Sequence, residues 1–304
     1  MSYAYRVYGI DIESEILIDQ LIEIDKEDII EDNKISIKYG VMSEKYSKSK
    51  EEGKKICVED NEVWFDIENL ASFQINDGQT VVVNTYDNYD ELQLNNYLTC
   101  SCLGFIMLQK NHIALHGAAI NIKEKGIIIT GDKGAGKSSL STALREKGYK
   151  FMADDVSAIN CKDISIYPGF PYQKICEDMF QTMNYKGDNF KRFQSDNNIK
   201  YLIPANKEFQ RTSLELGAIV NLKVAECEEV IIEELLGYEK MLAVLSNIYR
   251  GEYISRMGGL KPIYMKKCLD ITKNTPVFRL TRPKNKFTLD DQIKLIEDKL
   301  KLIK

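Results

Sequence analysis

The stretch that decides the fold is GIIITGDKGAGKSSLSTALREKG, residues 126–148. It begins with a short β-branched run, which is typical of a buried strand, and it ends with helix-favouring residues that Gly148 closes. Between them, residues 131–138 match the pattern G-x-x-x-x-G-K-[ST]. Strand, glycine-rich loop and helix follow in the order that this P-loop (Walker A) motif requires. The sequence therefore predicts a nucleotide-binding unit; the alternative is a glycine-rich turn in an unrelated α/β unit.

The chemistry of the motif assigns a role to each part of the run. Glycine residues allow backbone N–H groups to turn inward around phosphate oxygens, and the helix N-terminus adds partial positive charge. The lysine, Lys137, can reach the β- and γ-phosphates, and the hydroxyl of Ser138 can ligate Mg²⁺. We therefore expect phosphate contacts along the whole run, which comprises Gly131, Asp132, Lys133, Gly134, Ala135, Gly136, Lys137, Ser138 and Ser139.

Composition limits the class of protein. The chain has 304 residues, a formal net charge of −5 and an ordinary share of hydrophobic residues, 44%. Such a length can hold one large or two ordinary domains, and the acidic balance argues against nonspecific nucleic-acid binding. Seven scattered cysteines favour a reducing compartment. The N-terminal residues do not have the pattern of a signal peptide, and the sequence has no long apolar run. We therefore expect a soluble cytoplasmic protein that does not span a membrane.

The patterning predicts a mixed α/β (α+β) fold in two parts. Residues 1–86 contain short β-branched runs separated by polar turns, which indicates a β-rich N-terminal region, and residues 87–304 form the second domain. The charged run 44–55 is predicted to be a solvated hairpin tip, with partner docking as the alternative. The polar and aromatic segment 178–200 is either a lid or substrate-facing loop, or a plain surface insertion.

Two aspartates and a histidine lie near the P-loop in sequence. Asp154 and Asp155 end the strand that follows the P-loop helix, and His116 lies in the strand before the P-loop strand. Consecutive strand residues point to opposite faces, but at a strand end the chain can turn and present both carboxylates. One could bind Mg²⁺ and the other act as a base, unless the pair only forms a turn or cap. His116 could position a carboxylate, or be a half-buried structural histidine.

These residues together resemble the catalytic core of the HPr kinase/phosphorylase family. The resemblance rests on His116-Gly117-Ala118, the P-loop stretch 126–144 and the run 148–155, which ends Ala-Asp-Asp. It is strongest over residues 113–155 and extends more weakly to residue 304. Residues 213–219 stand where the bifunctional enzymes carry E-I-R-G-x-G-I, and no Arg-Gly follows the glutamate here. The chain therefore resembles a divergent branch of this family, which includes lasso-peptide precursor serine kinases.

The resemblance implies a P-loop core of the HPr kinase/phosphoenolpyruvate carboxykinase type and an ATP- and Mg²⁺-dependent serine kinase acting on a peptide or protein. It implies that Asp154 is the catalytic base supported by His116, that Lys137 is catalytic, and that Ser138 and Asp155 hold the metal. The alternatives are a kinase for a small hydroxyl compound such as free serine, and a non-catalytic nucleotide sensor or adaptor. A homo-oligomer is possible. The cation that stabilises the transition state is one of Arg211, Arg250, Arg279, Arg282 and Lys200.

Overall fold

The computed structural model describes residues 2–185, 190–195 and 198–301. The chain divides into two compact units: unit 1 contains residues 1–112 and 250–264, and unit 2 contains residues 113–249 and 265–304. The helices between residues 91 and 109 belong to unit 1, and unit 2 begins at Ile113. The assignment of residues 87–304 to one catalytic domain stays a prediction.

Unit 1 is built on a seven-stranded mixed sheet with the order β1-β2-β3-β7-β6-β5-β4. Aromatic side chains join its helices to this sheet, because the rings of Phe73 and Tyr97 lie 5.8 Å apart and those of Phe65 and Phe105 lie 6.2 Å apart. The strands are β1 (Tyr3–Val7), β2 (Ile10–Ser14), β3 (Lys34–Tyr39), β4 (Ile56–Val58), β5 (Glu62–Ile67), β6 (Ala71–Asn76) and β7 (Thr80–Thr85). The helices are α1 (Glu44–Glu51), α2 (Glu91–Tyr97) and α3 (Leu103–Gln109), with a π-helical turn over Leu98–Cys102.

The predicted hairpin tip at residues 44–55 is wrong, because α1 occupies most of it. The Ser43 side chain caps this helix by accepting a hydrogen bond from the Tyr46 N–H. Tyr46 is buried and meets Trp64 edge to face, with ring centroids 5.0 Å apart. A cap and one buried aromatic residue thus outweigh the high charge of the segment.

Unit 2 contains the P-loop and a mixed sheet that is eight-stranded in the described residues. Its centre is parallel: β9 pairs with β16, which pairs with β18, and β8 and β17 flank them antiparallel. The strands are β8 (Ile113–Ile122), β9 (Lys125–Gly131), β10 (Lys150–Ala153), β11 (Val156–Asn160), β12 (Ser165–Ile166), β16 (Leu214–Ala225), β17 (Ile231–Glu234) and β18 (Val277–Pro283). The helices are α4 (Lys137–Glu146), α5 (Glu177–Thr182), α6 (Gly237–Leu245), α7 (Pro262–Asn274, whose first three residues are in unit 1) and α8 (Leu289–Leu300).

A separate three-stranded antiparallel sheet carries part of the predicted lid segment 178–200. Its order is β13-β15-β14, with β13 over Tyr172–Cys176, β14 over Lys191–Ser195 and β15 over Asn198–Pro204. Helix α5 covers one face through a cluster of apolar residues that includes Met179, Ile175 and Ile203. Residues 186–189 and 196–197 of the segment lie outside the described residues, and its role as a lid stays a prediction.

In the described parts of the chain, we find no helix that combines the length and the apolar character needed to cross a membrane.

Candidate active site

The P-loop connects β9 to α4 at the carboxyl edge of the parallel strands. Its glycines have left-handed φ angles, 138° at Gly131, 84° at Gly134 and 103° at Gly136, which residues with a Cβ rarely adopt. Gly136 precedes the first helical residue, and no side chain caps α4. The first-turn N–H groups of this helix therefore point to an anion site. The Lys137 amino group donates to the carbonyls of Gly131 at 2.8 Å and of Asp132 at 3.1 Å, so it lies over the loop.

Two residues distant in sequence hold the loop in this shape. The Arg282 Nε donates to the Ala135 carbonyl at 2.8 Å. On the other side, the Asn247 Oδ1 accepts the Gly131 N–H at 3.1 Å, and its Nδ2 donates to the Ala243 carbonyl at 2.8 Å. The Asn247 carbonyl also accepts the His116 N–H at 2.7 Å. Asn247 thus joins α6, β8 and the P-loop strand. The sequence analysis missed this role, since one asparagine after a helix carries no pattern.

Replacing Asn247 with alanine is expected to weaken both stability and nucleotide binding. The buried Gly131 N–H would lose its acceptor, which costs about 1–3 kcal/mol of unfolding free energy. Urea unfolding and ATP titration of the Asn247→Ala variant check this. The Ser246→Ala variant removes only the long contact of 3.4 Å from the Asn247 Nδ2 to an exposed hydroxyl, so its stability should stay close to that of the unmodified protein. Equal stability of the two variants would contradict the assignment.

The chain turns sharply at the aspartate pair between β10 and β11. Asp155 has a left-handed φ of 66°, and the Val156 N–H donates to the Asp154 carbonyl at 2.7 Å. The Gly117 N–H then binds the Asp155 carbonyl at 3.1 Å. A non-glycine residue in this conformation is strained, and such strain is concentrated at functional sites. At this turn the two carboxylates are close enough to interact, since the charge of Asp155 raises the pKa of Asp154.

The carboxyl group of Asp154 is buried beside a second carboxylate. The side chain accepts the Lys174 N–H at 2.7 Å, and the residue is 7% exposed. Burial, and then the negative charge of Asp155, raises the pKa of Asp154 to about 6, against the effect of the Lys174 hydrogen bond. A carboxyl group with a pKa near the working pH is suited to accept a proton during a reaction.

His116 contacts Asp155. Its Nδ1 lies 3.3 Å from the Asp155 Oδ1 and 3.1 Å from the Asp155 carbonyl. The resemblance paired His116 with Asp154, and the contact in the structure is with the neighbouring carboxylate. Burial lowers the pKa of His116, although the Asp155 charge opposes the shift. A neutral ring that carries its proton on Nδ1 can donate to Asp155 and hold its orientation.

The structure separates the five candidate cations. Arg282 binds the P-loop backbone, and Arg279 pairs with Glu233 and Glu239, at 3.2 Å each. Arg250 lies in unit 1, where it donates to the Ser101 hydroxyl, and Arg211 is exposed. Lys200 differs, because its positive charge lowers the pKa values of Asp154, His116 and Lys137. Lys200 is therefore the candidate nearest to the aspartate pair in electrostatic terms.

The donor set suits Mg²⁺ that is bound together with a nucleotide. Among the described residues, no group of three or more His, Cys, Asp or Glu side chains could hold a metal by itself. Mg²⁺ commonly takes one or two protein oxygens and completes its shell with phosphates and water. Ser138 is the second residue of the uncapped α4, and Asp155 directly follows β10 at the same sheet edge. Both residues carry oxygen atoms, the ligands that Mg²⁺ prefers. Burial lowers the pKa of Lys137, while three nearby carboxylates oppose the shift.

Comparisons with known proteins show what the segment that carries this site is similar to. Residues 108–182 match the family described as the HPr Serine kinase C-terminal domain. This segment of the chain is HPr-kinase-like. The matching segment contains the P-loop, the aspartate pair and His116, which are the elements of the site described above.

Curated relatives of the HPr-kinase-like segment match over a short length. An HPr kinase/phosphorylase of Treponema pallidum is 45% identical over 49 residues, which is 16% of this chain and 15% of that protein. One from Limosilactobacillus reuteri is 38% identical over 50 residues, 16% of each. The chain thus matches about 15% of the length of these relatives. A structure of the Hpr(Ser) kinase/phosphatase from Coxiella burnetii aligns with 62% of this chain and 97% of that one, at 13% identity and a TM-score of 0.32.

Proposed function

We propose that this protein is an ATP- and Mg²⁺-dependent kinase that transfers the γ-phosphate to a serine hydroxyl of a peptide or protein. One observation carries the proposal: a buried carboxyl group with a pKa near 6, Asp154, stands at the same sheet edge as a P-loop. A nucleotide sensor needs the loop but no base. The description of the matching family, HPr Serine kinase C-terminal domain, supports serine as the acceptor residue.

Each residue of the site has a part in this reaction. The ionised Asp154 accepts the proton of the serine hydroxyl as that oxygen attacks the γ-phosphorus, and the bond from this phosphorus to the β,γ-bridging oxygen breaks, which releases ADP. The Lys137 and Lys200 ammonium groups neutralise negative charge on the transferring group. Ser138 and Asp155 would hold Mg²⁺, which supplies charge neutralisation when bound. His116 acts as a positioning residue, because it holds Asp155.

A direct assay tests the proposal. The full chain is incubated with γ-labelled ATP, Mg²⁺ and a set of serine peptides, and the label on peptide and the intact peptide mass are followed. Added phosphate on serine supports the proposal. ATP binding without transfer to any acceptor would favour a sensor or adaptor. Because ATP and Mg²⁺ are abundant in the cytoplasm, we expect the protein to work there.

The Asp155→Asn variant is expected to need more Mg²⁺. Loss of one anionic oxygen from the metal site should raise the Mg²⁺ concentration for half-maximal transfer by about tenfold or more. Titration of Mg²⁺ at fixed ATP measures this, and chelation with EDTA should stop transfer reversibly. Affinity for ATP without Mg²⁺ should change little. An unaltered Mg²⁺ requirement in the variant would show that Asp155 does not bind the metal.

A further inference from the structure

A second polar pocket adjoins the P-loop on the side of α6. It has a volume of about 140 Å³ and is lined by Asp132 of the loop, Asn221 and Lys223 of β16, Arg279 of β18, and one face of α6 with Asn247. None of the proposed catalytic steps uses it. The pocket borders the loop at Asp132, whose carbonyl accepts the Lys137 amino group at 3.1 Å. It therefore lies beside the end of the loop where the lysine that binds the terminal phosphates is found.

The charges around the pocket are of two kinds. Arg279 is fixed by its two glutamate partners, one of which, Glu239, also lines the pocket. Asp132 and Lys223, in contrast, are exposed, and in the described part of the chain neither side chain forms a hydrogen bond or an ion pair. They directly follow Gly131 and Leu222, the last paired residues of two parallel strands. One carboxylate and one ammonium group thus line the same pocket, and the carboxylate charge also acts on the Lys137 ammonium group.

The volume limits what can bind. A protein cavity of about 150 Å³ accommodates benzene, which has about six heavy atoms. The pocket has room for about one free amino acid. Opposite charges at the rim match the α-carboxylate and α-ammonium groups of a zwitterion, whereas a peptide residue within a chain carries neither.

We infer that this pocket binds a free zwitterionic α-amino acid, with Lys223 holding the carboxylate and Asp132 the ammonium group. Leu242 and Ala243 of α6 provide apolar contact for a short side chain. The inference rests on the proposed function in one respect, because it places this ligand next to the terminal phosphates of the nucleotide. The site itself requires only the pocket.

Calorimetric titration of the full chain with L-serine and with L-alanine tests the inference. Each should bind, whereas N-acetyl-L-serinamide, which lacks both charges, should bind at least about tenfold more weakly. The Lys223→Met and Asp132→Asn variants should each weaken binding by about tenfold or more. The matched controls Lys294→Met and Asp291→Asn, which change exposed residues of α8, should bind normally.

A steric variant gives a second measurement. Ser246 lines the pocket from its exposed rim, so Ser246→Phe should block binding and Ser246→Ala should preserve it. Equal affinity for the blocked and free amino acids, or unchanged affinity in Lys223→Met, would overturn the inference. Phosphorylation of serine peptides without amino-acid binding would overturn it while leaving the proposed function intact. Amino-acid binding without phosphoryl transfer would support the inference about the pocket and contradict the proposed kinase activity.

Discussion

The Asp154→Asn variant is expected to lose phosphoryl transfer by a factor of about 10²–10⁴ and to keep ATP binding, because the amide cannot accept the hydroxyl proton. Asparagine has the size of aspartate and can still accept the Lys174 N–H, so the P-loop should keep its shape. Single-turnover transfer to a serine peptide and ATP titration separate the two effects. In the unmodified protein, the transfer rate should rise with pH up to about 6 and then level off, as Asp154 ionises.

The same variant should be more stable than the unmodified protein in alkaline solution. The folded-state pKa of Asp154 is raised from 3.8 to about 6, so the folded protein binds this proton more tightly than the unfolded chain does. The stability linked to that proton is fully present below about pH 4 and is lost as the pH rises through 6. At pH 8 the variant avoids this loss, which amounts to roughly 3 kcal/mol at most.

Urea unfolding at pH 4 and pH 8 checks the stability effect. The difference between Asp154→Asn and the unmodified protein should be small at pH 4 and large at pH 8. Asp291→Asn, which changes an exposed carboxylate of α8, should show no such difference. Unchanged transfer in Asp154→Asn would show that Asp154 is not the base. A lower stability of the variant at pH 8 would contradict the explanation that burial raises the pKa of Asp154.

The Gly131→Ala variant is expected to lose about 3 kcal/mol of unfolding free energy or more. A Cβ at Gly131 would lie 2.4 Å from the Leu222 carbonyl oxygen, which belongs to the backbone of the neighbouring strand and cannot move alone. The φ of 138° adds conformational strain to this clash. The variant should also lose ATP binding, because Gly131 shapes the loop and its carbonyl accepts the Lys137 amino group.

Gly134 provides the matched control in the same loop. Its φ is also left-handed, 84°, but nothing lies within 4 Å of an added Cβ. Gly134→Ala should therefore show only the conformational cost, about 1–2 kcal/mol. Urea unfolding of both variants measures the difference. Equal destabilisation would show that backbone conformation alone, rather than the contact with β16, determines the need for glycine at Gly131.

The sequence by itself determined the local parts of the site. A β-branched strand, a glycine-rich loop and a helix have compositional signatures within one short stretch, so β9, the P-loop and α4 were predictable. The run ending at Asp154 and Asp155 could also be placed at a strand end, and the mixed α/β class followed from the alternation of strand and helix patterns. The helix α1 was not predicted, because its single buried residue, Tyr46, packs against Trp64 of the distant strand β5.

The tertiary structure alone decided which groups meet. Asn247 and Arg282 hold the P-loop from more than one hundred residues away, and their contacts depend on strand order rather than on local pattern. The contact of His116 with Asp155 is likewise not local, and it depends on the left-handed backbone conformation of Asp155. The pKa of Asp154 depends on burial, and burial exists only after the strands and the β13 backbone pack around it. Sequence determines which chemical groups are available, whereas long-range packing determines their neighbours, because contacts between distant strands leave no periodic signal in the chain.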